Sequence, residues 1–356
     1  MNVPMRSPVF TLLLAALSVV FSLQPARADE KDRRLDLYFI DVEGGAAMLL
    51  VSPEGESLLV DSGYPDNGGR DKNRILHVLR DVAGRRELDH AAVSHWHLDH
   101  YGNHAALAAQ IPVKNFWDRG IPESLEEDPM FADRIAPYRA ASQNKSKALR
   151  VGDKLPVRSG KTPLEIKTVT ASGRVLANSG APNPFTAEHQ PEPDDLTDNA
   201  KSLSFLLSFG PFRFLTCGDL TRNVEAKLVT PNNPLGKIDL FMVTHHGILT
   251  SNDPALVLAI DPRVTIMCNG PTKGGSLETL LTLRRIKSLQ AQFQLHRNVD
   301  VPDDEQAPAD FIANSGTTEE CQGEFVKASV APDGKTYTVQ IGPKGKVHTF
   351  ETRSDK

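Results

Sequence analysis

From Leu35 onward the chain is a succession of short apolar runs, each closed by small or polar residues. LDLYFIDV (35–42) alternates as a half-buried strand does, and AAMLLVS (46–52) and SLLVDSG (57–63) follow as buried runs that end in turns. The spacing of Ile75, Val78, Leu79 and Val82 predicts a helix after a loop at DNGGRDKN. DHAAVSH (89–95) is a short apolar strand. NHAALAAQ (103–110) starts a helix with Asn103 as candidate N-cap, and VKNFWDRG (113–120) is a strand running into a loop. The charged stretch 122–150 is expected to be helical. Residues 173–199 carry Pro, Asn and Asp with no period and read as a long loop, a kind of segment that often covers a site.

The second half repeats the alternation. SLSFLLSFG and FRFLTCGD are strands joined at a Gly-Pro turn, TRNVEAKLV a helix, and KIDLFMVTHHG a strand that ends in paired histidines. PALVLAI (helix), RVTIMCNG (strand) and SLETLLTLRRIKSLQ (helix) follow. GEFVKASV and TYTVQIGPKGKVHTF predict two or three closing strands with a tight turn at GPKG. Strands interleaved with helices place the chain in the α/β class.

The first residues break this pattern. Arg6 precedes an apolar stretch from about Val9 to Leu23, and Ala26-Arg27-Ala28 has the small-x-small form of a cleavage site. Residues 1–28 are therefore expected to be a secretory signal peptide, leaving a mature chain of about 328 of the 356 residues, exported and without a later membrane span. Loss of Arg6 and Arg27 takes the formal charge from −5 to −7, and this acidic balance gives no strong nucleic-acid signature. Three cysteines, Cys217, Cys268 and Cys321, are too few and odd in number for a disulfide framework.

The densest chemistry is HWHLDH, residues 95–100, directly after an apolar strand. His95 and His97 share a side in an extended segment. Four ligands in six residues exceed what one tetrahedral ion with an open position needs, so two ions are expected, His95 and His97 on one, Asp99 and His100 on the other. Two ions need more ligands. Asp219 ends one downstream apolar strand and His245–His246 end another, so Asp219 could bridge and one of the paired histidines could complete the second site.

HxHxDH, CGD and HHG, each after a strand, together with FIDVEGGAAMLLVSPEGESLLVDSG, resemble the metallo-β-lactamase fold superfamily over roughly residues 35–290. The motif details are similar to the soluble domain of the competence protein ComEC and to bacterial phosphorylcholine esterase. The resemblance implies an αββα sandwich of two mixed sheets flanked by helices, with residues 291–356 a β-rich extension packed on the same domain. It implies His95 and His97 as ligands of a first metal, and Asp99 and His100 as ligands of a second. Asp99 would also orient the attacking water, Asp219 would bridge, and His246, or else His245, would be the last ligand. His97 stands where flavodiiron relatives carry Glu, which favours zinc over a redox iron pair. Many members have a further histidine before the bridging acid. Only His189, in the Pro-rich loop, is available here, so the first site is expected to be the weaker. A bacterial exported location, periplasmic or secreted, follows from the resemblance and the leader.

Other residues are candidates for support. Asp61 could fix a ligand histidine's tautomer. Asn269 and Lys273, in CNGPTKGG, could contact substrate, with Lys273 a point charge for an anionic group. Asp118 and Arg119 could line the mouth. Cys217 and Trp96 read as packing residues, and His77, His90, His104, His296 and His348 as structural or surface. The expected function is a zinc-dependent hydrolase in which a metal-bridging hydroxide attacks a phosphoester or phosphodiester. β-Lactam or lactone ring opening, and a non-catalytic metal-holding module, are the competing readings.

Overall fold

The computed structural model describes Met1 and residues 32–65, 67–316 and 321–355; nearly all of the expected signal peptide, 1–28, lies outside them. Two large mixed sheets stack face to face. The first runs, edge to edge, through His348–Glu351, Thr336–Ile341, Val326–Val330, Leu35–Phe39, Met48–Val51, Ser57–Val60, Leu88–Ala92, Val113–Asp118 and Lys147–Ala148. The second runs through Ile312–Asn314, Ala291–His296, Val264–Met267, Leu240–Met242, Phe212–Thr216, Ser204–Phe209, Leu164–Ala171 and Arg174–Val175.

Alternation along the strands builds the layer between them. Leu35, Leu37 and Phe39 face inward with Met48, Leu50, Leu58 and Val60, and meet Phe205, Leu207, Phe212, Phe214 and Ile266 of the other sheet. Each such side chain removed from water contributes about 1.5–3 kcal/mol. The opposite faces are covered by helices. Tyr38, Leu49 and Leu59 pack on Ile75, Leu76 and Leu79, while Leu215, Phe241 and Val243 pack on Leu228, Leu256 and Leu280. The result is the αββα sandwich.

Several local expectations shift. DNGGRDKN is not all loop, because Arg70–His77 is already helical, and the turn Val78–Val82 widens beyond an α-helical one. Asn103 makes no capping bond; its amide instead donates to the carbonyls of Ser62 and Tyr64. The 122–150 stretch holds one helix, Phe131–Ala141. The loop 173–199 carries only two-residue strands and a 3₁₀ turn at Thr186–Glu188, and it ends where a second one, Asn199–Lys201, begins.

The C-terminal residues are structural members of both sheets. Val326–Val330 pairs antiparallel with Leu35–Phe39, and Ala291–His296 pairs parallel with Val264–Met267. All three cysteines are free. Among the described residues no helix is long and apolar enough to cross a membrane.

Candidate metal centre

Parallel strands deliver the chemistry at one edge of the sandwich. Ser57–Val60 ends at Asp61, and Leu88–Ala92 runs on to Ser94 and His95. In the other sheet Phe212–Thr216 leads to Asp219, Leu240–Met242 to His245 and His246, and Val264–Met267 to Asn269 and Lys273. The carboxyl ends of parallel strands in α/β folds are where sites form, since the chain must leave the sheet there and its turns converge. The short helix Leu98–Tyr101 starts directly after His97 and swings Asp99 and His100 back toward the same space.

Four of these side chains enclose a common point. The ligand atoms of Asp99, His100, Asp219 and His246 all lie within 4.8 Å of one another. His100 Nε2 is 3.1 Å from Asp219 Oδ2 and 3.3 Å from His246 Nε2. Asp99 Oδ2 is 3.4 Å from each of these imidazole nitrogens, and His246 Nε2 is 3.3 Å from Asp219 Oδ2. Ligands about 2.0–2.1 Å from a tetrahedral ion are about 3.4 Å apart, so these edges match one ion's donor set. A second group adjoins it. His95 Nε2 lies 3.1 Å from His97 Nδ1 and 3.9 Å from Asp219 Oδ2.

The outward nitrogens fix the inward ones. His100 Nδ1 donates to Asp61 Oδ2 at 2.9 Å, and His246 Nδ1 to the carbonyl of Cys268 at 3.1 Å. The Ser94 hydroxyl donates to Asp61, so its lone pair accepts from His95 Nδ1. The Ser251 hydroxyl donates to the Leu220 carbonyl, so it accepts from His245 Nδ1. His97 turns its Nε2 to Glu127, 3.4 Å away. With a cation in the centre, each ring would spend its proton outside it and present a bare lone pair inward, the tautomer a metal requires. Bare nitrogens facing one another at 3.1 and 3.3 Å repel unless a cation lies between them.

The backbone is strained where the ligands sit. His245 and His246 both adopt left-handed φ, 52° and 54°, as does Asp61 at 60°. Non-glycine residues there cost roughly 1–2 kcal/mol each. The turn is held by His245 N–H donating to the Gly218 carbonyl and Gly275 N–H to that of His246. Gly274 lies so close to His246 that any Cβ there would collide with it, and a Cβ on Gly45 would lie 2.6 Å from the Asp99 carbonyl oxygen.

Electrostatics follow from this crowding. Burial, then the charge of His100, lowers the His95 pKa well below its usual value. Burial pushes His245 down to about 4. Against burial, His100 is driven well up by Asp219, Asp99 and Asp61, and Asp99 and Asp219 are driven well down, in both cases chiefly by His100. At the rim, Lys273 Nζ is 2.5 Å from Asp99 Oδ2 and 3.1 Å from the Tyr64 hydroxyl.

The structure therefore brings together His95, His97, Asp99, His100, Asp219, His245, His246, Asp61 and Lys273. Of the paired histidines, His246 joins the four-atom set, while His245 lies 3.3 Å from Asp219 and is more exposed. Other candidates fall elsewhere. His189 bonds Asp253, the N-cap of Pro254–Ile260, at 2.7 Å, so its ring supports a helix start and no metal. The Asn269 amide is consumed by the His296 backbone and the Gly270 carbonyl, which leaves nothing for substrate. Asp118 is buried against Tyr138 and the Gly120 N–H rather than at the mouth, and Arg119 pairs with Asp198. Trp96 packs among Tyr101, Phe131 and Tyr138, and Cys217 lies in the helix-side core. Tyr64, Glu127 and Asp198 escaped the sequence reading. Asp198 accepts from the Trp96 N–H at 2.7 Å and so anchors the HWH segment. Only Tyr64, three residues after Asp61, carried a signal in its position.

The sequence profile described as Metallo-beta-lactamase superfamily matches residues 40–270. No curated protein matches this chain by sequence. Among solved structures, a "Putative metal-dependent hydrolase" from Parabacteroides distasonis is similar, at 15% identity over 73% of this chain and 93% of that one, with a TM-score of 0.39. CmlA, a diiron beta-hydroxylase from Streptomyces venezuelae, is similar at 17% identity over 71% of this chain and 47% of its own, with a TM-score of 0.38.

Proposed function

The chain belongs to the metallo-beta-lactamase superfamily, and from that premise we propose that it is an exported, zinc-dependent hydrolase of phosphoesters or phosphodiesters. Support for metal is the donor set itself: four atoms spaced for a tetrahedral ion, with the outward nitrogens of His100 and His246 held by Asp61 and the Cys268 carbonyl so that each Nε2 faces the set. His95 and His97 would hold one ion, Asp99, His100 and His246 the other, with Asp219 between them. Imidazoles and carboxylates without a thiolate suit zinc, and His97 keeps the zinc assignment argued from the sequence. When bound, such ions lower the pKa of water and offset charge that builds on a reacting oxygen.

The observation that carries the substrate class is Lys273. Its ammonium stands at the rim of the centre, steadied by Tyr64, where an anionic phosphoryl oxygen could exchange with Asp99 for it. Likeness to the ComEC and phosphorylcholine esterase branch points the same way. Hydrolysis puts the oxygen of water on phosphorus, breaks one P–O ester bond and returns a proton to the departing oxygen. Asp99 is the carboxylate placed to orient the attacking water. Lys273 would hold the phosphoryl group so that the ester bond lies in line with that attack.

The test is turnover by metal-stripped protein, before and after zinc is returned, on bis-p-nitrophenyl phosphate, nitrocefin and a lactone. Zinc-restored phosphodiester cleavage is expected. Cleavage of nitrocefin or lactone alone would overturn the phosphoester assignment and keep the hydrolase. No turnover on any substrate would overturn both.

A further inference from the structure

The two halves of the centre are unequally supported. Asp99, His100, Asp219 and His246 form a closed set of donors. The other half has His95, His97 and a share in Asp219, whose Oδ2 is 3.9 Å from His95 Nε2. The Pro-rich loop's own histidine, His189, is spent on Asp253. His97 is also the one side chain of these six that is not buried, with 25% of it exposed. An imidazole so placed keeps rotamer freedom that an ion must remove on binding, unless the protein has removed it already.

One group faces the outer nitrogen of this ring. Glu127 Oε1 is 3.4 Å from His97 Nε2, while Nδ1 points to His95. The same oxygen accepts the Asp198 N–H at 2.6 Å. Glu127 lies in the turn closed by Leu125 and Asp128, and Leu125 is buried in the apolar cluster that also holds Trp96, the neighbour of His97. Both ends of the contact therefore stand on one piece of core. Asp198 is fully buried and precedes the 3₁₀ turn Asn199–Lys201, a position from which an aspartate ordinarily caps. Its carboxylate makes no such cap. It accepts the Trp96 N–H at 2.7 Å and the Arg119 Nε–H at 3.0 Å. The end of the Pro-rich loop is thus fastened to the HWH segment by a side chain and to Glu127 by its backbone.

We infer that Glu127 is a positioning residue for the ion on His95 and His97, and that the end of the Pro-rich loop holds it in place. With an ion on Nδ1, the ring proton sits on Nε2. A carboxylate that accepts this proton fixes the plane of the ring and makes Nδ1 the better donor. Asp61 stands in the same relation to His100, so each half of the centre has one imidazole backed by a carboxylate. The inference rests on the two-ion reading above and adds to it what sets the occupancy of the half with fewer donors. It also gives the end of the Pro-rich loop a task, which is to brace a ligand.

The test is titration of the metal-stripped protein with cobalt(II), which takes zinc's ligands and is coloured and paramagnetic. Two binding steps are expected in the wild type. The step that fills the His95–His97 half is marked by a paramagnetically shifted, solvent-exchangeable proton resonance from His97 Nε2–H. Glu127→Ala should lower the affinity of that step about 10–100-fold and leave the other step unchanged. Glu127→Gln keeps an acceptor oxygen without the charge, so it should lower the same step by less. It also keeps the result readable if the alanine variant misfolds. In both variants the His97 proton should exchange with solvent faster, while those of His100 and His246 keep their rates. A His97 step unchanged in both variants, or two steps weakened alike, overturns the inference and leaves the two-ion centre standing. A wild type that takes up one ion or none overturns the two-ion reading and the inference with it.

Discussion

Two buried clusters in this protein gather the same kinds of side chain, and only one of them asks for a metal. Asp41, Glu43, His296 and Cys321 bring their ligand atoms as close together as Asp99, His100, Asp219 and His246 do. The first cluster, however, contains its own cations. Arg74 reaches Asp41 at 2.8 Å and Glu43 at 3.0 Å, and Arg70 reaches Glu43 at 2.8 Å. His296 Nε2 donates to Asp41 at 2.8 Å, and burial beside Asp41 pushes the Cys321 thiol up to about 12, so it stays protonated. The cluster at the sheet edge has two carboxylates, inward-facing imidazole nitrogens and one ammonium at its rim. Proximity of donor atoms does not make a metal site; unmet negative charge and bare lone pairs do. Glu225 shows a third solution. Fully buried, it keeps its proton, its pKa raised to about 8 by burial.

The contrast can be broken by substitution. The largest effect belongs to Asp219, which serves both halves of the centre. Asp219→Asn is expected to cut zinc-dependent turnover by at least roughly 10³-fold and to lower bound metal, read by steady-state kinetics and elemental analysis. Arg74→Met strikes the other cluster. Leaving Asp41 and Glu43 without their guanidinium should cost about 3–5 kcal/mol of stability in urea unfolding, with metal content unchanged.

Glu225 gives a pH signature. Between 4.5 and about 8 the unfolded chain has released this proton and the folded chain still holds it. The neutral form therefore stabilises the fold fully below 4.5, and that contribution is lost as pH rises toward 8. Relative to Glu225→Gln, the wild type should lose up to about 5 kcal/mol between pH 4.5 and about 8, measured as paired urea midpoints. The smallest change is Asp61→Asn, which frees the His100 tautomer and should weaken metal affinity about 10–100-fold, with no effect on the Arg74 cluster.

Legibility followed locality. HWHLDH, CGD and HHG are each continuous in the chain, and a strand end is recognisable from its own apolar run, so the centre could be assembled before any contact was seen. The alternation of strands and helices likewise foretold the α/β class, while the two stacked sheets followed only from the family resemblance. What escaped depends on distant pairing. Val326–Val330 closes against the first strand, and His296 meets Asp41, across separations that no local pattern encodes. His189 and Asn269 looked available because their partners, Asp253 and the His296 backbone, lie in other segments.

The most direct test of the central claim is the metal content of the purified zinc-loaded protein, with His246→Ala and His296→Ala measured beside it. About two ions per chain are expected in the wild type, fewer in His246→Ala, and the wild-type number in His296→Ala. Metal absent from the wild type, or lost on substitution of His296 and retained on substitution of His246, would contradict the account.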